Sequence, residues 1–267
     1  MASKILGSLH TIEPRESAGA KTTARYRFQT NLAIEQICDL IEQGITDFAI
    51  LIEHLDDITV IHLEPDPKFV LIQVKARSAG SWTITNLTKS EKDKTGPSSI
   101  ISKLYQSSQA LKNEDLELRF ISNAPYSLKL SNGKKCSSDA MQITASELHL
   151  DEIKKINDAL DIDYPLPRLP DIIDVFAVKR TALSHQDSDA YIIGRITKIL
   201  ENNGSHDGAV TALYKTLYID LVEKSSRSER YNSPEELIKK KGVTRDEVIG
   251  LLGRAKSGHK FSSMRST

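Results

Sequence analysis

The spacing of apolar residues changes from helical to extended in the early part of the chain. Between positions 25 and 44 the apolar residues recur at helical spacing, and Gly44 then stops the pattern, which predicts a helix. Short apolar runs typical of strands follow at positions 48–54, 56–63 and 69–76. A turn with two prolines separates the last two runs. The order of helix, two strands, turn and strand predicts an α/β fold with a mixed sheet.

The rest of the chain first alternates between extended and helical segments and then becomes helical. We expect a short extended piece at 81–87, a helix at 100–113, a strand at 116–126 and a helix at 144–160. Further helices are predicted at 185–201, 207–226, 233–241 and 244–256. Ser233 precedes a proline at the start of one helix, and Thr244 and Glu247 have capping-box spacing at the start of the next. We therefore predict an α/β domain over residues 1–178 and a helical C-terminal region over residues 179–267, suited to docking or oligomerisation.

The composition is that of an ordinary globular protein and excludes several classes. Of the 267 residues, 39% are hydrophobic and 27% are charged. No apolar run approaches the ~20 residues that a membrane-spanning helix needs. The N-terminus has no extended apolar core, so we expect no signal peptide. Cys38 and Cys136 are the only cysteines, which argues against a disulfide framework or a zinc site and indicates a cytoplasmic protein.

Charge is balanced overall but unevenly distributed. The chain has 36 basic and 36 acidic residues, so it is not a general binder of polyanions. Residues 35–67 contain nine acidic residues and no lysine or arginine, whereas residues 68–103 contain seven basic and two acidic residues. An acidic segment beside a basic one can hold a metal ion next to a phosphate backbone, although solvated surface charge gives the same pattern.

Gln73 and Lys75 are polar residues within the apolar run FVLIQVKA. Residues i and i+2 of a strand share a face, so the two side chains point the same way, on the face that Phe69 and Leu71 occupy further back. Asp57 precedes Gln73 by sixteen residues, and the proline-containing turn between them would bring the two strands side by side. A carboxylate, an amide and an ammonium group would then converge at the end of the strand.

This set of groups suits metal-assisted hydrolysis of a phosphodiester. Carboxylate and amide oxygens are hard ligands suited to Mg²⁺ or Mn²⁺, and a bound metal ion lowers the pKa of water. We expect Asp57 and Gln73 to be metal ligands, with Asp56 as the alternative to Asp57. Lys75 would orient the attacking water and stabilise the charged transition state, and Glu53 is a further candidate acid. The structural alternative is an ion pair of Lys75 with Asp57 or Glu53 at the sheet edge.

Several basic side chains are candidates for contacts with nucleic-acid phosphates. They are Lys21, Arg25, Arg27, Arg77, Lys92 and Lys94. Lys21 lies in SAGAKTT, which departs from the phosphate loop of nucleotide-binding proteins because alanine stands where that loop has glycine before the lysine. A solvated surface position is the alternative for each of these residues.

Three segments, taken in order, resemble a known group of nucleases: ARYRFQTNLAIEQICDLIEQG, LIEHLDDITVI and FVLIQVK. An aspartate followed by Gln-x-Lys in a helix–strand–strand–strand frame is similar to the PD-(D/E)xK nuclease superfamily, in its variant with glutamine in place of the second acid. More closely, the segments look like Cap4-type nuclease domains. Those domains begin with an arginine–aromatic–glutamine helix start, which here is Arg25, Tyr26, Phe28 and Gln29. The resemblance covers roughly residues 15–125, with weaker support to about 220.

The resemblance implies a restriction-endonuclease-like mixed sheet flanked by helices and a metal-dependent endonuclease that cuts double-stranded DNA. Cap4-type domains are effectors of bacterial antiphage systems of the CBASS and Lamassu kinds, controlled by a fused sensor domain or by other defence-system subunits. The resemblance also implies Asp57, Gln73 and Lys75 as the catalytic core, with Glu53 as a further acid. We expect a homo-oligomer in the active state and no membrane partner. Glu35 on the first helix could approach the metal ion, as helix acids do in the superfamily, but we expect it to face solvent.

Glutamine at position 73 removes one negative charge from the metal site relative to aspartate or glutamate. We therefore expect weak metal binding until a DNA phosphate completes the site, and activity only on clustering or partner release. Two alternatives remain open. One is a catalytically silent nuclease-fold module for nucleic-acid binding or complex assembly, and the other is an enzyme that acts on RNA or another phosphodiester.

Overall fold

A computed structural model describes residues 23–63, 67–90, 99–111, 114–164, 168, 170–184, 187–201 and 210–256. The chain divides into two compact units. Unit 1 comprises Met1–Pro67 and Leu183–Thr267, and unit 2 comprises Lys68–Ala182. In the described part of the chain, segments before residue 64 and after residue 182 therefore fold together in unit 1, while the middle of the chain forms unit 2.

Three antiparallel strands of unit 1 lie in the order β2–β1–β7. They are β1 (Phe48–Ile52), β2 (Ile58–His62) and β7 (Gly242–Thr244). Ile50 of β1 is paired with Val60 of β2 and with Val243 of β7. All residues of β1 are buried, which accounts for an apolar run without polar alternation.

The helices of unit 1 come from both ends of the sequence. α1 (Thr23–Glu42) packs against α6 (Ser188–Glu201) and α7 (Val210–Ser225). Its apolar stripe is buried as the spacing predicts, with Leu32 and Ile37 no more than 1% exposed. α8 (Pro234–Lys241) and α9 (Arg245–Lys256) lie on either side of β7 in sequence and contact it.

The predicted caps of the last two helices are confirmed. The Ser233 hydroxyl accepts a hydrogen bond of 3.1 Å from the Glu236 N–H, and Pro234 occupies the first turn of α8. Thr244 and Glu247 form the reciprocal capping box of α9, because the Glu247 carboxylate accepts from the Thr244 N–H and the Thr244 hydroxyl accepts from the Glu247 N–H. The four helices predicted in the C-terminal region correspond to α6–α9. Where the structure describes a helix end, the predicted and observed ends differ by no more than three residues.

Four strands of unit 2 lie in the order β5–β6–β4–β3. They are β3 (Lys68–Val74), β4 (Asp115–Ser122), β5 (Gln142–Thr144) and β6 (Phe176–Arg180). β4 is parallel to both β3 and β6, whereas β5 is antiparallel to β6. Helices α2 (Ile84–Thr88), α3 (Ile100–Ser108), α4 (Leu150–Asp163) and α5 (Ile172–Val175) accompany this sheet. The mixed sheet with flanking helices confirms the predicted α/β fold class.

Two predicted elements of unit 2 are wrong. The segment 81–87 is predicted to be extended, but from Ile84 it forms α2 because Thr83 caps the helix in a reciprocal box with Asn86; Trp82, before the cap, makes an isolated bridge to Tyr126. The helix expected at 144–160 begins at Leu150 instead. His149 caps it, and the preceding residues form β5 and a single 3₁₀ turn at Ala145–Glu147.

The predicted boundary after residue 178 does not coincide with the division into compact units. Helices α6–α9 belong to unit 1 together with α1, β1 and β2. The functional division into residues 1–178 and 179–267 stays a prediction. In the part of the chain that the structure describes, no helix is both long and apolar enough to span a bilayer.

Candidate active site

A short acidic loop, residues 53–57, joins β1 to β2 in unit 1. Glu53 has a φ of 53°, and it is the only non-glycine residue with a positive φ among the described residues. Its N–H donates a hydrogen bond of 3.1 Å to the Asp57 carbonyl, which closes the loop. The Asp57 N–H donates to Asp56 Oδ1 at 2.9 Å. Backbone strain of this kind persists only where surrounding contacts hold it, and such strain clusters at functional sites.

Helix α1 supplies the contacts that hold the acidic loop. Gln29 is 2% exposed, and its Nε2 donates to Glu53 Oε1 and to the Asp57 carbonyl oxygen, each at 2.9 Å. Arg25 lies one helical turn earlier on the same face, and its Nη2 is 3.9 Å from Asp57 Oδ1. The arginine–aromatic–glutamine helix start therefore fixes the loop that carries the predicted acids.

Negative charge is concentrated and largely removed from water in this loop. Asp56 and Asp57 are 6% and 8% exposed. Burial raises the pKa of Glu53 above its usual value; the Gln29 hydrogen bond opposes that rise, and the charge of Asp57 adds to it. Arg25 and Lys241 each lower the pKa of Glu53 through their positive charge. A cation placed near these carboxylates would reduce the repulsion between the negative charges of Glu53 and Asp57.

The donor atoms of the loop fit a hard divalent cation. Asp56 and Asp57 offer carboxylate oxygens, and Mg²⁺ commonly binds through one or two carboxylates while it keeps several waters. Among the described residues, no group of three or more histidine, cysteine, aspartate or glutamate side chains is arranged to hold a metal ion. A metal ion at this loop would therefore take further ligands from water, substrate or an amide oxygen.

Gln73 and Lys75 lie at the end of β3 in unit 2. Gln73 is paired with Phe120 of β4, and its side chain is 6% exposed. β3 ends at Val74, two residues earlier than predicted, but the Lys75 N–H still donates to the Ile121 carbonyl at 3.1 Å. Lys75 is half-buried. The backbone of both residues is therefore fixed by β4.

The predicted catalytic residues are divided between the two units. Glu53, Asp56 and Asp57 are brought together in the acidic loop of unit 1, and Gln73 and Lys75 are neighbours at the end of β3 in unit 2. The convergence of Asp57 with Gln73 and Lys75 stays a prediction. The choice between Asp56 and Asp57 also stays open, because both side chains are buried.

Two basic side chains predicted to contact nucleic acid lie on the exposed start of α1. Arg25 and Arg27 are 55% and 48% exposed. Arg27 forms an ion pair with Asp189 of α6, and its Nε donates to Asp189 Oδ1 at 2.8 Å. Three further candidates, Lys21, Lys92 and Lys94, lie outside the described residues.

Arg77 is the predicted nucleic-acid contact with the most defined geometry. Its guanidinium lies over the Trp82 ring, 3.4 Å from the ring centroid, and its Nη1 donates to the Ser81 carbonyl at 2.8 Å. The Trp82 Nε1 in turn donates to Ser122 Oγ at 2.8 Å, which fixes the ring. Arg77 is therefore held in one orientation, in contrast to a freely moving surface arginine.

Three further observations about this part of the chain were not predicted. Gln29 carries the contacts to the acidic loop, although the sequence indicated it only as part of a motif. The positive charge of Lys241, distant in sequence, lowers the pKa of Glu53, and no sequence signal pointed to it. Glu35, expected to face solvent, is 6% exposed and interacts with Tyr191 of α6.

The family model for the Cap4 dsDNA endonuclease domain matches residues 17–225, which is most of the chain. Among solved structures, the Moraxella osloensis Cap4 SAVED/CARF-domain containing receptor matches with a TM-score of 0.47 and 13% sequence identity, over 88% of this chain and 48% of that chain. The chain thus spans about half the length of that receptor. No curated protein sequence matches. From the family match, the chain belongs to the Cap4 family of double-stranded DNA endonuclease domains.

Proposed function

We propose that the chain is a Mg²⁺- or Mn²⁺-dependent endonuclease that hydrolyses phosphodiester bonds of double-stranded DNA in bacterial antiphage defence. The observation that carries the proposal is the acidic loop held by Gln29, which contains Asp57, the first acid that the resemblance to Cap4-type nucleases implies. The D…Q-x-K pattern at Asp57, Gln73 and Lys75 supports the same reaction.

The acidic loop and the end of β3 have separate roles in this proposal. Asp57, with Asp56 as its alternative, and the Gln73 amide oxygen would hold the metal ion. When bound, the metal ion lowers the pKa of a water molecule and neutralises charge on the scissile phosphate. Lys75 orients the attacking water and stabilises negative charge in the transition state. Glu53, whose pKa is raised by burial, is a further acid beside Asp57.

Glutamine at position 73 favours an enzyme that is silent until it is activated. The amide contributes an oxygen ligand without a negative charge, so metal binding by the protein alone should be weak. A DNA phosphate would add the missing charge. We therefore propose that clustering on DNA, or release from a partner, switches the enzyme on.

DNA binding in this proposal uses Arg25, Arg27 and Arg77, together with Lys21, Lys92 and Lys94. The balanced charge of the chain predicts weak and salt-sensitive binding by a single copy. Several copies on one DNA molecule would bind more tightly, since linked contacts raise the effective concentration. This favours a homo-oligomer in the active state.

Control by a sensor follows from the same family relationship. The similar Moraxella osloensis protein is a receptor with SAVED/CARF domains, and this chain spans about half its length. We propose that a fused sensor domain or separate defence-system subunits regulate this nuclease, as in CBASS or Lamassu systems. The helical region after residue 179 is the proposed docking surface for such a regulator.

Cleavage of supercoiled and linear DNA tests the proposal directly. Clustered wild-type protein should cut DNA with Mg²⁺ or Mn²⁺ faster than the single copy does and stop when EDTA is added, and Asp57→Ala and Lys75→Ala should each abolish cutting. Lys89→Ala is a matched control, because Lys89 is an exposed lysine of unit 2 outside the motif. DNA binding that survives EDTA, with no cutting by clustered protein, would instead support a catalytically silent module. Cutting of RNA in preference to DNA would overturn the substrate assignment.

A further inference from the structure

Three parallel strands of unit 2 end at the same edge of its sheet. Gln73 of β3 is level with Phe120 of β4, and Phe120 is level with Val178 of β6. Laterally paired residues of a sheet point to the same face, so these three side chains share one face. Open α/β sheets bind their ligands at the carboxyl ends of parallel strands. The end of β3 that carries Gln73 and Lys75 belongs to this edge.

Arg180 lies on the same face and at the same edge as Lys75. Arg180 is the last residue of β6 and is paired with Ser122 of β4. The Lys75 N–H donates to the Ile121 carbonyl at 3.1 Å, which is the bond that a parallel ladder makes when Lys75 stands level with Ser122. Since neighbouring strands are about 4.8 Å apart, the backbones of Lys75 and Arg180 are separated by about 10 Å across β4.

Asn123, the residue after β4, holds two arginines at this edge. Its side-chain amide accepts from the Arg77 N–H and donates to the Arg77 carbonyl, each at 2.9 Å. Its backbone carbonyl accepts a longer bond of 3.4 Å from Arg180 Nε, and Arg180 Nη1 donates to the Ser138 carbonyl at 2.7 Å. These two bonds use two of the five N–H donors of the Arg180 guanidinium, which leaves donors for a phosphate oxygen.

A turn that carries adjacent lysines is joined to the end of β6. We call residues 128–139 the lysine turn, and its Ser138 carbonyl accepts the bond from Arg180. The Lys134 N–H donates to the side chain of the asparagine two residues earlier at 2.9 Å. Gly133 between them has a φ of 77°, which glycine adopts at no steric cost. The lysine turn therefore has a defined backbone shape and a fixed attachment to β6.

Positive charge dominates the lysine turn, which contains three lysines and one aspartate. Lys129 stands opposite Lys135 in an isolated antiparallel bridge, where like charges repel each other. Asp151 of α4 pairs with Lys129 at 3.0 Å. Lys134 and Lys135 are exposed at the tip of the turn. An anion bound at these two lysines would reduce the repulsion within the turn.

We propose that Arg180 and the lysine turn form a second phosphate-binding surface of the nuclease, which holds the backbone of double-stranded DNA beside Gln73 and Lys75. Arg180 binds a phosphate close to the scissile bond, and Lys134 and Lys135 bind phosphates further along the duplex. Contacts of this kind fix the position of the duplex without reading its sequence. The proposal rests on the proposed nuclease function and adds three contacts to those predicted from the sequence.

DNA binding measured in EDTA tests this surface without any cleavage. Fluorescence anisotropy of a labelled duplex over a salt series gives the slope of log affinity against log salt. Lys134→Ala, Lys135→Ala and Arg180→Gln should each reduce the slope by about one, and the double lysine variant should reduce it by about two. At about 0.1 M salt, each lost contact should weaken binding about tenfold on every DNA sequence. An unchanged slope in the double lysine variant would overturn the proposal.

Two control variants separate a local contact from a change in net charge. Lys68→Ala removes the same charge at the opposite end of β3, where Lys68 pairs with Glu117 at 3.7 Å, and it should leave the slope unchanged. The double variant with arginine at both lysine positions, Lys134→Arg and Lys135→Arg, keeps the charge and should bind DNA as wild type does. Equal losses of affinity in Lys68→Ala and Lys134→Ala would overturn the proposal. Thermal unfolding of the lysine variants should match wild type, because both lysines are exposed.

Cleavage kinetics separate this surface from the proposed function. The double lysine variant to alanine should raise KM for DNA with little change in kcat, because its contacts are the same in the ground state and the transition state. If wild-type protein binds DNA with the expected slopes but cuts none, the nuclease function fails and the surface stands. If wild-type protein cuts DNA and the lysine variants bind and cut equally well, the surface fails and the function stands. Absence of DNA binding by wild-type protein would overturn both.

Discussion

The side-chain amide of Gln29 lies 2.9 Å from the Glu53 carboxylate, across 24 residues of sequence, and the same nitrogen reaches the carbonyl of Asp57. One side chain of α1 therefore fixes both ends of the loop that carries the predicted catalytic acids. The structure thereby gives a physical reason for the glutamine in the helix-start motif. Its amide nitrogen supports the loop that carries the acids.

Replacement of Gln29 by alanine should release the acidic loop. The buried Asp57 carbonyl and Glu53 carboxylate would each lose a donor, which costs about 1–3 kcal/mol of unfolding free energy. Urea unfolding measures this loss, and cleavage of DNA should fall with it. Gln43→Ala is the control, because Gln43 is exposed at the end of α1 and should change stability by less than ~0.5 kcal/mol. Equal effects of the two substitutions would contradict the role of Gln29.

Asp189 should make unit 1 sensitive to acid. The hydrogen bond from Arg27 lowers the pKa of Asp189 to about 2, against the effect of burial, and Asn31 contributes a further hydrogen bond. Because the folded pKa is below the unfolded value, the stabilisation is present above the unfolded pKa and is lost as the pH falls towards 2. The stability difference between wild type and Asp189→Asn should be constant near neutral pH and shrink below about pH 4.

The control for that experiment is Asp187→Asn. Asp187 is exposed in the turn immediately before α6, and asparagine keeps its hydrogen-bonding capacity. Urea unfolding over a pH series gives both comparisons. A stability difference for Asp189→Asn that does not change with pH would contradict the account of the Arg27–Asp189 pair.

The stacked guanidinium of Arg77 should contribute to DNA binding. Arg77→Ala should weaken binding to all DNA sequences and reduce the slope of log affinity against log salt by about one, as expected for one lost phosphate contact. Fluorescence anisotropy over a salt series measures that slope. Lys129→Ala is the control, because Lys129 pairs with Asp151 in the same unit. An unchanged slope for Arg77→Ala would remove Arg77 from the DNA surface.

Two glycines near the C-terminus should respond in opposite ways to alanine. Gly242→Ala places a Cβ 2.8 Å from the Ile238 carbonyl oxygen and should destabilise the corner between α8 and β7. Gly250 lies within α9 with nothing within 4 Å of an added Cβ, so Gly250→Ala should stabilise by up to ~1 kcal/mol. Thermal unfolding measures both changes. A neutral Gly242→Ala would show that the corner can relax.

The sequence predicts long, strongly periodic elements well and short ones poorly. The apolar stripe of α1 and the capping signals at Ser233 and Thr244 are local, and the structure confirms them. β5 and β7 have three residues each, which is too short for a period of two to be visible. The helix α2 was missed because a single capping box, not periodicity, decides it.

In the candidate site, too, the sequence predicts only those features that have a local sequence signal. Local motifs indicated Asp57, Gln73 and Lys75, because their chemistry is unusual within apolar strands. Gln29 contacts the acidic loop across 24 residues of sequence. Lys241, which lowers the pKa of Glu53, also lies far from the loop in sequence. Pattern analysis of one segment at a time does not detect such pairs, and only the folded chain reveals them.

We propose that Asp57 and Gln73 hold one divalent metal ion at the DNA-cutting site. A crystal structure of the Lys75→Ala protein with bound DNA and Mn²⁺ tests it most directly, since the anomalous signal of Mn²⁺ locates the ion. We expect Mn²⁺ at about 2.1 Å from an Asp57 carboxylate oxygen and from the Gln73 amide oxygen, with a DNA phosphate completing the coordination. Bound DNA with Mn²⁺ on other side chains, or with no metal ion at these two residues, would contradict it.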